Sequence, residues 1–305
     1  MSDDTERRTL RGELTWYLVL TFGGTWALAA LAATRGGLSA FPVLPLAMLL
    51  PMTAAFIVQR FVVKQRLRAA LGFRVGQLRY WLVAPLALLL LWAVAFAVSY
   101  LVHPVAYQAW PGIAANVARL KNVPSTPFGV RGTLAAAYLI TAIVAPLLNL
   151  PIFLGEEVGW RAFMTPRLVA LYGRPGLLLG GAIWGVWHTP FIFMGLNYPQ
   201  HPALGHLVWI PFCIAFGIIL QTVYVRGGSV VPAALCHGIT NQIAALTMGI
   251  VIVDSRFNDL VDGPAGVVAL VTLIVPAVYC YRTFPLGAQI AIPPVGRDRV
   301  QAVAC

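Results

Sequence analysis

Residues 80–102 read YWLVAPLALLLLWAVAFAVSYLV, an apolar run without a single charged side chain. A helix of about 20 apolar residues spans the hydrocarbon core of a bilayer, so this stretch is expected to cross a membrane. Comparable runs lie on either side of it, at roughly 15–34, 41–60, 134–156, 176–196, 206–225, 230–253 and 264–284. The whole chain of 305 residues is 59% hydrophobic and 10% charged, with mean hydropathy +0.80. A soluble domain needs about a quarter charged residues to clothe its surface. An ordinary soluble globule and a disordered chain are therefore excluded, and the expected fold is an all-α polytopic membrane protein of about eight transmembrane helices.

The net charge of +11 does not point to nucleic acid, because the basic residues fall in short stretches between apolar runs. With the N-terminus placed in the cytoplasm, sixteen Lys and Arg lie on inner segments and five on outer ones. The connector from Arg60 to Arg79 dominates, with six basic residues and no acid. Both termini are expected to be cytoplasmic, and the basic connector is read as facing lipid headgroups. Residues 1–14 are read as a cytoplasmic segment, 15–285 as one membrane domain, and 286–305 as a cytoplasmic tail. The proline-bearing connector 103–133 is expected to be irregular. Cys213, Cys236, Cys280 and Cys305 show no CxxC spacing, so no disulfide framework is implied. No removable leader is expected, nor prenylation of the terminal AVAC.

Ionisable groups in a bilayer cost several kcal/mol on most scales and are retained where they are used. Of ten acidic residues, only Glu156 and Glu157 lie at or in an apolar helix, within GEEVGWRAFMTPRL. In a helix, Glu157 and Arg161 are four positions apart with the acid first, the favoured order for an ion pair. Glu156 is rotated about a hundred degrees away and has no sequence-local cation, which makes it a proton acceptor or donor near neutral pH. The plainer explanation is that both glutamates sit at the membrane interface. His103, His201 and His206 fall near loops and need only solvation. His188 and His237 fall within apolar runs, where a lone histidine more often bridges helices. Trp184 shares a helical face with His188, and Asn241 with His237. An amide cannot act as a base, but it can donate to an oxygen gaining charge. A polar clamp between helices is the plainer account of His237 and Asn241.

EEVGWR fits the pattern EExxxR, His188 closes an aromatic-xxx-His pattern begun by Trp184, and HGITN fits Hxxx(N/D), in that order between residues 134 and 253. In these motifs the chain resembles the CPBP family of intramembrane glutamic endopeptidases, which includes the CAAX prenyl proteases. The family has phenylalanine where this chain has Trp184; the aromatic character is kept while the cavity wall changes. The resemblance implies that Glu156 and His188 activate a water, that His237 and Asn241 donate to the oxyanion, and that Glu157 and Arg161 support them. The residue types fit these roles chemically. No cofactor or metal is then required. A zinc enzyme using Glu156, His188 and His237 is the catalytic alternative, although an HExxH helix is lacking. A non-catalytic binding or immunity protein is a second alternative, and a proton-coupled transporter a third, the latter weakened by the lack of matched halves.

The expected partners are membrane lipid and a peptide or protein substrate at the membrane, with or without a lipid of its own. With 19 Arg against 2 Lys, the composition suggests a GC-rich genome and a bacterial plasma membrane. Counted from the cytoplasmic side, His188 would lie about 18 Å deep and His237 about 10 Å. Glu156 would be near the surface unless its helix continues through Trp160 toward Met164, as the apolar Trp160, Phe163 and Met164 favour. Arg161 and Arg167 would then snorkel or pair. A water-filled cavity facing the cytoplasm, open sideways or inward, is expected to hold the site.

Overall fold

The computed structural model describes residues 3–39, 42–64, 71–102, 140–246, 257–262 and 264–286, with positions 132 and 136 singly. The connector 103–133, the first residues of the fourth run, the end of the seventh run and the tail from 287 lie outside the described residues. Within them every regular element is helical. The elements are α1 (Asp3–Ala33), α2 (Val43–Ile57) and α3 (Arg79–Val102). They continue with α4 (Ala145–Leu148), α5 (Leu150–Glu157), α6 (Thr165–Tyr172), α7 (Pro175–Trp187) and α8 (Thr189–Phe193). The last three are α9 (Gly205–Gly227), α10 (Val230–Leu246) and α11 (Val267–Arg282). Wider π-turns occupy Val58–Val63, Ile140–Val144 and Val158–Met164.

Each of the eight apolar runs holds helix. Among the described residues, four helices are long and apolar enough to cross a membrane: Asp4–Ala33, Val43–Val63, Arg79–Val102 and Gly205–Gly227. Pro175–Trp187 and Val267–Arg282 are apolar but shorter. Large exposed side chains such as Leu82, Leu86, Leu90 and Leu101 line the outside of α3, a surface that lipid solvates and water does not.

Three boundaries differ from the sequence expectation. The charged N-terminal residues are helical from Asp3, because they have partners. Glu13 pairs with Arg167 at 2.6 Å, and Arg7 Nη2 donates to the Leu171 carbonyl at 3.1 Å. The helical path of the fourth run continues past 156 through Trp160 to Met164, as its apolar residues favoured, and α6 carries it beyond that expectation to Tyr172. The fifth run breaks at His188, where α7 ends. Pro190 lacks an amide hydrogen and its ring disfavours a continuing helix. The His188 side chain also takes the Trp184 carbonyl, which a continuing helix would offer to the amide of residue 188, and that amide turns to Gly185 at 3.2 Å.

Buried α9 is the central helix, flanked by α7, α10 and α11. The α7–α9 crossing uses small residues, which let backbones approach where no hydrophobic effect drives helices together. A Cβ on Gly181 would meet the Ile214 Cα and lie 2.9 Å from the Cys213 carbonyl oxygen; one on Gly185 would lie 3.0 Å from the Ile210 Cα. Gly181→Val is therefore expected to force the two helices apart and to cost roughly 1–3 kcal/mol, read as a lowered melting midpoint in detergent. An unchanged midpoint would show that the crossing is loose.

Candidate active site

Chain breaks around the two glutamates set their position. Asn149 interrupts the path before α5, with Pro151 directly inside the new helix. The π-turn Val158–Met164 follows, a feature often found at functional sites. Every residue from Gly155 to Val169 is buried, charged ones included. Close packing on α2 requires glycine here: a Cβ on Gly155 would lie 2.5 Å from the Met48 carbonyl oxygen, and one on Gly159 would meet Pro51 and the Tyr17 hydroxyl.

The glutamates part company chemically. Glu157 is fully buried; its Oε2 accepts from Arg161 Nε at 2.9 Å, and its Oε1 lies 2.9 Å from His237 Nδ1. The Arg161 guanidinium stacks 4.5 Å above the Trp184 ring. Glu156 Oε2 instead accepts from two indoles, Trp184 Nε1 at 2.7 Å and Trp160 Nε1 at 3.3 Å. Neutral donors orient this carboxylate without neutralising it.

The histidines are fixed through their Nδ1 atoms. The Trp184 carbonyl, 2.8 Å from His188 Nδ1, can only accept. The hydrogen must therefore reside on Nδ1, and the neutral ring presents its lone pair on Nε2. Trp187 and Trp209 pack edge-on against the same ring, at centroid distances of 4.7 and 4.9 Å. His237 likewise turns Nδ1 toward the Glu157 carboxylate and lies between Phe153 and Trp184, with ring centroids 5.6 and 5.5 Å away. Asn241, one turn further along α10, has an exposed side chain.

Glu156, His188, His237 and Asn241 all line one cavity of about 450 Å³. Most of the remaining wall is apolar, with Met48, Trp187, Phe191, Trp209, Phe212 and Phe216 among it. Such a chamber holds a few convergent polar groups in an apolar shell, the usual composition of a small-ligand or catalytic site.

The structure thus brings the expected residues together, with redistributed contacts. Trp184 packs near His188, at 5.8 Å between centroids, but its indole nitrogen serves Glu156. Trp160 is a further Glu156 donor that the sequence reading did not single out. The four-residue spacing used for Glu157 and Arg161 applies equally to Glu156 and Trp160, so the signal was present. Arg167 does not snorkel; it pairs with Glu13 and stacks 3.6 Å over Phe163. His201 is not simply solvated, since its Nδ1 lies 2.6 Å from buried Asp259. Among the described residues no three His, Cys, Asp or Glu side chains form a metal-binding group.

The Trp184 hydrogen bond is open to a direct test. Trp184→Phe keeps an aromatic wall and deletes the 2.7 Å donor, leaving Trp160 to orient Glu156. A hydrogen bond to a charged group contributes about 1.5–3 kcal/mol, so a loss of at least about 10-fold in kcat is expected, with KM little changed. Full activity in that variant would show that the indole is only a wall.

No curated protein matches the chain. Residues 131–243, which contain Glu156, His188, His237 and Asn241, match the family described as type II CAAX prenyl endopeptidase Rce1-like. Taken with its apolar helices, the chain is an integral membrane protein whose residues 131–243 are similar to the Rce1-like CAAX protease family.

Proposed function

We propose that the chain is an intramembrane glutamic endopeptidase that cleaves a peptide bond at a bacterial plasma membrane. The observation that supports this most is the meeting of Glu156, His188, His237 and Asn241, from three separate helical segments, in one cavity. Glu156, held by two indoles and facing the cavity, takes a proton from a water. His188, with its Nε2 lone pair, orients that water or relays the proton. The water oxygen attacks the scissile carbonyl carbon, and the carbonyl oxygen becomes an oxyanion. His237 Nε2, when protonated, and the Asn241 amide donate to it. Glu157 holds His237 through Nδ1, and Arg161 holds Glu157. Collapse of the tetrahedral intermediate expels the amine, which leaves with the proton carried by Glu156 or His188.

Because these steps use only side chains of this chain, we propose that no metal takes part. Purified enzyme is expected to retain activity after treatment with a strong chelator and to contain no stoichiometric zinc. Zinc lost together with activity would reassign Glu156, His188 and His237 as ligands. The protease reading itself is tested by quantitative proteomics of peptide termini in cells carrying wild-type or Glu156→Gln protein. New termini that depend on Glu156 are expected. Identical termini with biological function intact would favour a binding or immunity protein, and proton-coupled flux into proteoliposomes would favour a transporter.

A further inference from the structure

Two ends of the helix bundle can be told apart by their contacts. At one end, Arg7 reaches the Leu171 carbonyl, Gln77 N donates to Gly227 O at 2.7 Å, and Arg226 Nη2 donates to Thr283 O at 3.0 Å. The start of α1, the stretch 71–78, the end of α6, the α9–α10 junction and the end of α11 therefore lie together. At the opposite end, Trp26 Nε1 reaches the Trp187 carbonyl at 3.3 Å, Tyr198 OH donates to Ala265 O, and His201 meets Asp259.

The cavity belongs to that second end. Its rim comes from Leu38 after α1, Leu44 in the first turn of α2, Asn197 and Pro199 between α8 and α9, and Pro264 and Ala265 before α11. None of its lining comes from the stretch 71–78 or the α9–α10 junction. Charge divides the same way. Arg7, Arg60, Arg74, Arg174, Arg226 and Arg282 mark the first end, whereas the described charged residues of the cavity end are Arg35, Asp259 and Asp262. Counted along the sequence with both termini placed inside, sixteen basic residues fall on the inner segments and five on the outer ones. Short loops rich in Arg and Lys stay in the cytoplasm. The two sequence expectations, cytoplasmic termini and a cytoplasm-facing cavity, are therefore incompatible in this fold, and the charge distribution selects the first.

We infer that the cavity opens on the face of the membrane away from the cytoplasm, and that its substrate is a peptide segment presented at that outer surface, with an apolar side chain for the aromatic wall. A polypeptide end lipidated in the cytoplasm lies on the wrong side to enter. The substrate assignment rests on the proteolytic reading; the side of opening does not.

Cysteine accessibility in intact cells tests this. In a background with Cys280→Ser and Cys305→Ser, single variants Pro199→Cys on the rim, Ala203→Cys beside it and Val75→Cys at the arginine-rich end are exposed to a membrane-impermeant maleimide. The Pro199 and Ala203 variants are expected to label from outside, and Val75→Cys only after permeabilisation. The reverse pattern, labelling of all three from outside, or a rim cysteine that never labels would each overturn the inference. Reversed labelling with Glu156-dependent proteolysis intact would sink the orientation alone. Labelling as expected with cleavage surviving Glu156→Gln would sink the catalytic reading and its substrate, and leave the orientation standing.

Discussion

Glu156→Gln is expected to leave a folded, membrane-inserted protein whose peptide-hydrolysis rate is about 10²–10⁴-fold below wild type, the usual contribution of a positioned general base. Glutamine keeps the side-chain length, and its amide oxygen can still accept from Trp184 and Trp160, which bond the native carboxylate at 2.7 and 3.3 Å. Packing in the buried 155–169 segment is therefore preserved while the proton acceptor is lost. The measurement is kcat on any peptide that wild-type enzyme cleaves, together with the melting midpoint in detergent. A rate within about threefold of wild type at an unchanged midpoint would remove Glu156 from the chemistry.

Arg161→Met should show the opposite pattern, a loss of stability first. Arg161 and Glu157 are both almost entirely inaccessible and bond at 2.9 Å, and the guanidinium also covers Trp184. Removing one partner strands a buried carboxylate with His237 alone, and breaking a buried pair costs about 3–5 kcal/mol. The paired replacement Glu157→Gln with Arg161→Met is expected to recover most of that loss, because a neutral pair has no charge to desolvate and the new amide still offers an oxygen to His237 Nδ1. Thermal or denaturant unfolding in detergent gives both values. A single-variant loss under about 1 kcal/mol would indicate a solvated pair.

Local periodicity made much of the site legible. The four-residue spacing of Glu157 and Arg161 specifies an ion pair on one helical face whatever packs against it, and the pair is present. The same rule extends to Glu156 and Trp160, a neutral hydrogen bond that charge-based reading passes over. Pro190 carried the signal for the interruption at His188, but 176–196 reads as one apolar span because hydropathy is blind to a missing amide hydrogen.

Contacts between distant segments were not legible. His237 meets Glu157 across 80 positions, and the spacing of His237 and Asn241 on α10 could not reveal that one turns to a buried carboxylate while the other stays exposed. Asp259 and Asp262 resemble ordinary connector acids, yet both are buried at the cavity end, where Asp259 anchors His201 and Gln200.

Composition and motif order alone were enough to establish a membrane-embedded helical chain and to pick out its rare polar groups. Each of these depends on transfer free energy or on angles about a single helix axis, and both are carried by neighbouring residues. The division of labour between the two glutamates and the end at which the cavity opens emerged only from packing. They depend on how glycine-lined crossings such as α7 on α9 rotate and offset whole helices, and no periodicity along one helix records its rotation against another.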